Sequence, residues 1–332
     1  MLGIGVFVAS HAPGSGTILP QTKILGEFKD RVYQDGGTAE SYSCAESSLL
    51  PLLLDPETFT TGLLEFYPGA SAAYSLRQLR RSVSPYAIRV RRSSDDTELD
   101  IGFTSNGDLD LVALLDFAGT GDACVSIWYD QSSNGNDAEQ STPANQPKIV
   151  SSGSLITENG KPALAFDGSN DDLRSNNEIM NGNALFIASV VKNTSDASSM
   201  RIVDQSGPSA GAGLFATNTA NADVVRTFAR FDSISYSMND TTNYTNTQAL
   251  MVVNWASGAS ALHVNASQRA TDTSTWTAGG DTNVVFSIGS DGAGEVDYLE
   301  GTLQELLVYT TDQSANREGI ESNVNNFYSI YL

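Results

Sequence analysis

Residues 126–140 read SIWYDQSSNGNDAEQ, an apolar strand-like start (Ile127, Trp128, Tyr129) running straight into a turn that holds Asp130, Gln131, Asn134, Gly135, Asn136 and Asp137. Carboxylates and amides this closely spaced can hydrogen-bond a hydroxyl-rich ligand, and Asp130, Gln131, Asn134 and Asn136 are the groups that would touch it. The same residues also meet the demands of a tight turn, because Asn, Asp and Gly tolerate φ > 0 and short polar side chains bond nearby backbone. A second acidic turn, FDGSNDDL, offers Asp167, Asp171 and Asp172 as oxygen ligands for Ca²⁺, or simply as turn residues around Gly168. Trp276, in TSTWTAGG, reads as a loop residue whose ring can stack on a sugar, whereas Trp128 and Trp255 fall in strand patterns and read as core. His11 and His263 stand alone, with no Ser or Cys motif beside them, so a hydrolytic triad has no basis.

Composition narrows the field further. A formal charge of −21 and a pI near 4.2 would repel a phosphate backbone, which argues against nucleic-acid binding. The arginines at 77, 80, 81, 89, 91 and 92 interrupt that acidity, and Asp95, Asp96, Glu98 and Asp100 stand close enough in sequence to pair with them. Cys44 and Cys124 lie outside any CxxC or Cys/His spacing, which excludes a cysteine-based zinc site and leaves a single disulfide open. The apolar opening MLGIGVFVAS lacks a basic flank and is too short to span a bilayer, so neither a signal peptide nor membrane insertion is expected.

The elements that must position these groups follow from periodicity. In TKILGEFKDRVYQDGG, Ile24, Leu25, Phe28 and Val32 share a helical face that Gly36 and Gly37 terminate. Thr38 then reads as the N-cap of a further short helix before Pro51, so residues 1–67 are expected to form a small, mainly helical module. From residue 68 to 332 the pattern is strand-like. YAIRVRR and ELDIGF alternate around an SSDDT turn as one hairpin, and many short apolar runs separated by Gly, Asn, Ser and Asp follow. The expected fold is therefore all-β, a jelly-roll β-sandwich, closed by a C-terminal helix capped at Asp312 or Ser314 with Ile320, Val324 and Phe327 on one face.

Taken together, AYSLRQL, AIRVRRSSDDTELDIGF, the YDQSSNGN turn and PKIV resemble the catalytic domain of the α-L-arabinofuranosidase B family, with Ser133 where that family's turn has a glycine. KPALAFDGSNDDL and the closing FSIGSDG to LEGTLQELLVY order resemble laminin-G and concanavalin-A-like jelly rolls. The resemblance implies a glycosidase acid/base aspartate at Asp291, in SIGSDG. It places the nucleophilic glutamate in a strand whose nearest counterpart, VVRTFARFDS, offers Arg230 and Asp232 but no glutamate. The family's adjacent cysteine pair has no counterpart in SSMRIVDQS. FKDRVYQDGGTAESYSC is similar to helical modules of bacteriophage structural proteins.

These likenesses lead to the expectation of a bacteriophage virion protein (fibre, spike or capsid decoration), assembled in the host cytoplasm. Residues 1–67 would anchor the chain to other virion proteins, and the sandwich would bind host-surface glycans without turnover, in a homo-oligomer, as a trimer for a fibre. Two alternatives stand beside it: an arabinofuranosidase-like glycoside hydrolase using Asp291, and a purely architectural capsid or tail component.

Overall fold

Two burial patterns organise the strands. Residues 225–231 alternate buried and half-exposed positions one by one, as a strand does when only one face meets a core. Residues 185–193, 249–255 and 300–309 are buried almost throughout, so their sheet is covered on both faces. In the computed structural model the described residues are 62–81, 84–195, 199–206, 211–217, 225–231, 234–277, 285–291 and 296–332, preceded by four short strands.

The chain divides into two compact units, Met1–Thr60 and Thr61–Leu332. In the first, Ser10–His11 pairs antiparallel with Ile18–Leu19, and Tyr33–Asp35 with Thr38–Glu40. The expected helix end at Gly36–Gly37 and the expected N-cap at Thr38 are thus corrected: extended residues flank the double glycine and pair across it as a hairpin. The rest of that expected helix, Cys44 and the segment before Pro51 lie outside the described residues.

The principal strands of the second unit are β1 (Ala72–Ser75), β2 (Tyr86–Arg92), β3 (Glu98–Gly102), β4 (Ala123–Trp128), β5 (Ala138–Glu139), β6 (Lys148–Ser151), β7 (Leu164–Asp167), β8 (Leu173–Ser175) and β9 (Leu185–Asn193). They continue as β10 (Met200–Ser206), β11 (Gly211–Thr217), β12 (Val225–Phe231), β13 (Ile234–Asp240), β14 (Ala249–Trp255), β15 (Ser260–Val264), β16 (Ser267–Asp272), β17 (Phe286–Ile288) and β18 (Glu300–Tyr309). One layer runs β13-β12-β11-β10-β17-β8-β5-β4-β2-β3. The other runs β16-β15-β14-β9-β18, with β1 and β7 sharing the far edge of β18, and β6 bridges the layers by pairing with both β4 and β7. The all-β sandwich expected from the strand spacing is what forms.

Alternation explains how the second layer serves two cores. Ile187, Val253 and Val308 point into the space between the layers with Trp128, Leu214 and Ile288. Their neighbours Phe186, Val252 and Tyr309 point the other way and are covered by α1 (Leu63–Phe66) and α3 (Arg317–Tyr328). Helix α3 buries Ile320, Val324 and Tyr328, but it begins after Asn316 rather than at Asp312 or Ser314. Asp312 instead accepts from Ser314 N–H at 2.9 Å and from Asn254 Nδ2 at 2.8 Å, which keeps this stretch in a turn. A further helix, α2 (Leu111–Ala118), was not among the expected elements, although its signals are present: Asp110 accepts from Ala113 N–H as an N-cap, and Gly119 at φ 60° ends the helix.

A buried ion pair ties these parts together. Glu305 on β18, 1% exposed, accepts from Arg77 Nε and Nη2 at 2.7 and 2.9 Å and from Ser75 Oγ at 2.8 Å. Arg77 also donates to Asn323 on α3 and lies over the Phe327 ring. The nearby arginines behave locally instead: Arg89 pairs with Asp100, Arg91 with Asp96 and Arg92 with Asp95. Among the described residues, no helix is long and apolar enough to cross a membrane.

Two buried groups near α3 make stability pH-dependent in opposite senses. Burial pushes the Glu321 carboxyl up to about 7 from its ordinary 4.5, against the pull of its partner Arg317. The folded state therefore binds more protons than the unfolded one between those values, and stability falls as pH rises through that window. Burial, and next to it the charge of Arg317, pushes His263 down to about 4 from 6.5, so its contribution rises with pH up to 6.5. In the Glu321→Gln variant the falling limb of Glu321 is removed and the histidine limb is kept. Thermal midpoints of that variant should climb from pH 4 to 6.5 more steeply than those of the unaltered protein, and should not drop between pH 6.5 and 7. Parallel curves for the two proteins would contradict the assignment.

Candidate functional site

The YDQSSNGN turn is built inward. Asp130 follows β4 and is 4% exposed. Its Oδ1 accepts from Ala73 N–H at 2.9 Å and Ser132 N–H at 2.8 Å, and its Oδ2 from Ser132 Oγ at 2.6 Å and Asn136 N–H at 3.0 Å. Gln131, 1% exposed, accepts from Leu79 N–H and donates to the carbonyls of Ser75 and Arg77. Asn134 and Asn136 donate to the Ser71 carbonyl at 3.0 and 2.8 Å, and Asn134 also to that of Ala70. These amides and the Asp130 carboxylate supply the hydrogen-bond partners of a segment, residues 70–79, that runs past β1 without a ladder of its own on that side. Ser133, where the resembled motif has glycine, keeps a positive φ of 82° and Gly135 one of 71°, so the turn retains the left-handed geometry its glycine-type pattern requires.

Around this turn lies an open groove of about 580 Å³ straddling β5 and β8, lined by Asp137, Glu139, Gln140, Asn145, Arg174 and Asn177 among others. Sequence reasoning did not single out Asp137 and Glu139 as site residues, although both stand in the stretch that drew attention first. The signal was their place: Asp137 ends the polar turn and Glu139 lies on the short strand that follows it. Asp137 Oδ1 accepts from Asp130 N–H at 2.8 Å, so the turn fixes its direction. Burial, opposed by that hydrogen bond and reinforced by Asp130 and Glu139, raises its carboxyl above the ordinary range. Arg174, cross-strand from Glu139, donates to Asp172, which also receives Gln140 Nε2 and Ser290 Oγ.

The other expected site residues fall elsewhere. Trp276 is corrected from a loop platform to a packed ring: it is 6% exposed, stacks on Phe231 at 4.2 Å and 3°, and donates from Nε1 to the Asn183 carbonyl. The Ca²⁺ candidates do not converge. Asp167 accepts from Ser169 N–H and Asn170 N–H, Asp171 from Asp167 N–H, and Asp172 faces Arg174, and no group of three or more metal-ligating side chains occurs among the described residues. Asp171 lines a second groove beside Lys148 and Cys124, and burial, with Asp167 next, pushes it up to about 6. Cys124 itself is a free, buried thiol. Asp291 sits just past β17, where its N–H donates to the Val296 carbonyl at 3.1 Å, and Ser290 Oγ lies within hydrogen-bond distance of both Asp172 and the Asp291 carbonyl. It does not line the groove, and Asp232 lies outside the described residues.

The profile of the family described as "Alpha-L-arabinofuranosidase B, catalytic" matches residues 67–164, the span that contains the turn, Asp137 and Glu139. Among solved structures, the chain is similar to a family 54 glycoside hydrolase, an α-L-arabinofuranosidase soaked with a cyclic sulfate inhibitor. Identity is 18% and the TM-score 0.62, over 79% of this chain and 63% of that one. It is also similar to an arabinofuranosidase complexed with arabinofuranosyl-α-1,2-xylobiose, at 19% identity and a TM-score of 0.57, over 77% and 62% of the two chains. The chain thus spans less than two thirds of the length of either. No curated protein sequence matches. At these identities the likeness establishes the fold. The expectation of a bacteriophage virion protein is corrected here: the family profile and the two solved structures above are of an arabinofuranosidase-type domain and favour the hydrolase alternative.

Asp130→Ala leaves four donors without their acceptor at a nearly dry site, at about 1–3 kcal/mol for each unsatisfied group before relaxation. Urea unfolding should show a loss of at least about 3 kcal/mol. Asn134→Ala, whose partners lie nearer solvent, should lose about 1 kcal/mol. Equal losses in the two variants would show that the turn is not organised around Asp130.

Proposed function

We propose that residues 62–332 are an arabinofuranosidase-like glycoside hydrolase domain whose sugar site is the β5–β8 groove. The observation that carries this reading is that the family match over residues 67–164 includes both carboxylates lining the groove. Glycoside hydrolysis needs two carboxyl groups, one to protonate the leaving oxygen and one to act as nucleophile or to activate water, separated by about 5–9.5 Å according to stereochemistry. Asp137 ends the turn and Glu139 lies on β5, which follows it, so two carboxyl groups two residues apart in the chain line one groove.

Their environments divide the roles. Asp137 is half-buried, its carboxyl is raised above the ordinary range mainly by burial, and one oxygen lies outside its bond to Asp130 N–H, which suits it to the role of acid. Glu139 is exposed in the groove, cross-strand from Arg174, and takes the role of nucleophile or base. Amides of Asn145 and Asn177 present donors and acceptors to sugar hydroxyls.

The test is hydrolysis of 4-nitrophenyl α-L-arabinofuranoside. The unaltered protein should turn it over, and Asp137→Asn and Glu139→Gln should each lower kcat by about 10²-fold or more, the size of a general acid–base contribution. Asp137→Asn should also remove the alkaline limb of the pH–rate profile. Absence of turnover in the unaltered protein sinks the hydrolase reading, and a loss confined to Asp291→Asn would move the acid to the turn after β17.

A further inference from the structure

The outer face of the sheet carries an organised surface that the groove does not use. Cross-strand pairing sets one lateral row: Asp100 opposite Arg89, Arg89 opposite Ile127, Ile127 opposite Glu139, and Glu139 opposite Arg174. Residues directly opposite in a ladder share a face. The groove's Glu139 therefore stands two strands, about 10 Å, from Arg89, on the same side of the sheet. Tyr86 belongs to this face too. It pairs with Gly102, two residues from Asp100, after a register shift that restores its side to that of Arg89.

Tyr86 and Tyr129 form an aromatic ledge there. Their rings lie 5.9 Å apart at 41°, and Tyr86 is 41% exposed, one of few large apolar side chains in the described residues to be so. Both are held in place. Tyr129 OH donates to Asp100 Oδ1 at 2.7 Å, and Arg89 clamps the same carboxylate with Nε and Nη2 at 2.7 and 2.9 Å. Ser84 Oγ donates to the Tyr86 carbonyl at 2.7 Å and accepts its N–H at 3.2 Å. A Cβ on Gly102 would meet the Pro85 carbonyl oxygen at 2.5 Å, so only glycine lets the Pro85–Tyr86 segment lie this close. Burial first, then Asp100 and more weakly Asp137, raise the Tyr129 hydroxyl, which places the ledge within electrostatic reach of the groove.

An exposed ring on a fixed backbone has its ordering cost already met before any ligand arrives. It also presents an apolar face beside a polar rim, the pairing that suits the C–H face and hydroxyl edge of a sugar. We infer that the Tyr86–Tyr129 ledge, with the Arg89–Asp100 pair at its edge, is a second saccharide subsite. It takes a neutral sugar unit of an oligosaccharide whose terminal residue occupies the groove. The inference rests on the groove being a saccharide site, and it makes the substrate a substituted oligosaccharide or polysaccharide rather than a small glycoside.

Two probes separate the contributions: 4-nitrophenyl α-L-arabinofuranoside, which reaches only the groove, and an arabinofuranosyl-substituted xylo-oligosaccharide, which extends beyond it. Tyr86→Ala should raise KM for the oligosaccharide about tenfold, equivalent to about 1.4 kcal/mol. It should leave kcat on that substrate, and both constants for the aryl glycoside, unchanged. Tyr86→Phe should behave as the unaltered protein, because the ring is kept. An oligosaccharide KM unaffected by Tyr86→Ala, or an equal loss on both substrates, overturns the ledge. Should neither substrate be turned over, calorimetric titration with the same oligosaccharide decides. Saturable binding that Tyr86→Ala weakens about tenfold upholds the ledge and sinks only the hydrolase reading, and no binding by the unaltered protein overturns the ledge as well.

Discussion

A carboxylate taken out of water must be given donors, and Asp130 receives four from two stretches of chain: β1 through Ala73, and its own turn through Ser132 and the backbone of Asn136. That requirement arranges the site. The turn can close only if β1 passes alongside it, and β1 is held in turn by β18 through the ladder from Ala72 to Ser75. Because the Asp130 N–H is directed at Asp137, the same turn aims a second carboxylate into the groove. A residue whose role is structural thus determines where a chemically exposed one points.

The interior ion pair repeats this logic on the opposite layer. Glu305 lies in a strand buried on both faces, so its charge would be prohibitive without a partner, and Arg77 meets both its oxygens while reaching α3 through Asn323. Ser75 supports Glu305 directly and Gln131 caps the carbonyls of Ser75 and Arg77. The two polar networks are consequently continuous from the turn to the C-terminal helix, passing through β1. Continuity of this kind favours one register of β1 over its one-residue slip, which would turn every side chain to the wrong face.

Glycines act at the places where the outer sheet must be approached closely. Gly102 admits Pro85, and Gly213 admits both the Asp204 carboxylate and the Phe228 ring, which a Cβ would meet at 2.6 and 2.7 Å. Asp204 is then free to lie flat against the sheet and receive Arg201, itself also paired with Asp297. The outer face is for this reason a polar, structured surface rather than a plain solvent-facing one.

The strand alternation in residues 86–102, the turn at 130–136 and the acidic composition were legible in the sequence because each depends on neighbours along the chain. The all-β class and the Arg89–Asp100 pairing follow from that local information, as does the inward use of Asp130 that the turn chemistry allowed. Trp276 shows the limit: its Gly- and Thr-rich surroundings read as a loop, and only the approach of Phe231 on β12 and of Asn183 ahead of β9 buried it. The same holds for Asp172, which reads as a calcium ligand in isolation and becomes the partner of Arg174, Gln140 and Ser290 once three strands meet. Which carboxylates line a cavity is a matter of which strands lie side by side. Periodicity says which way a side chain faces, whereas long-range pairing, β5 with β8 and β8 with β17, decides what it faces.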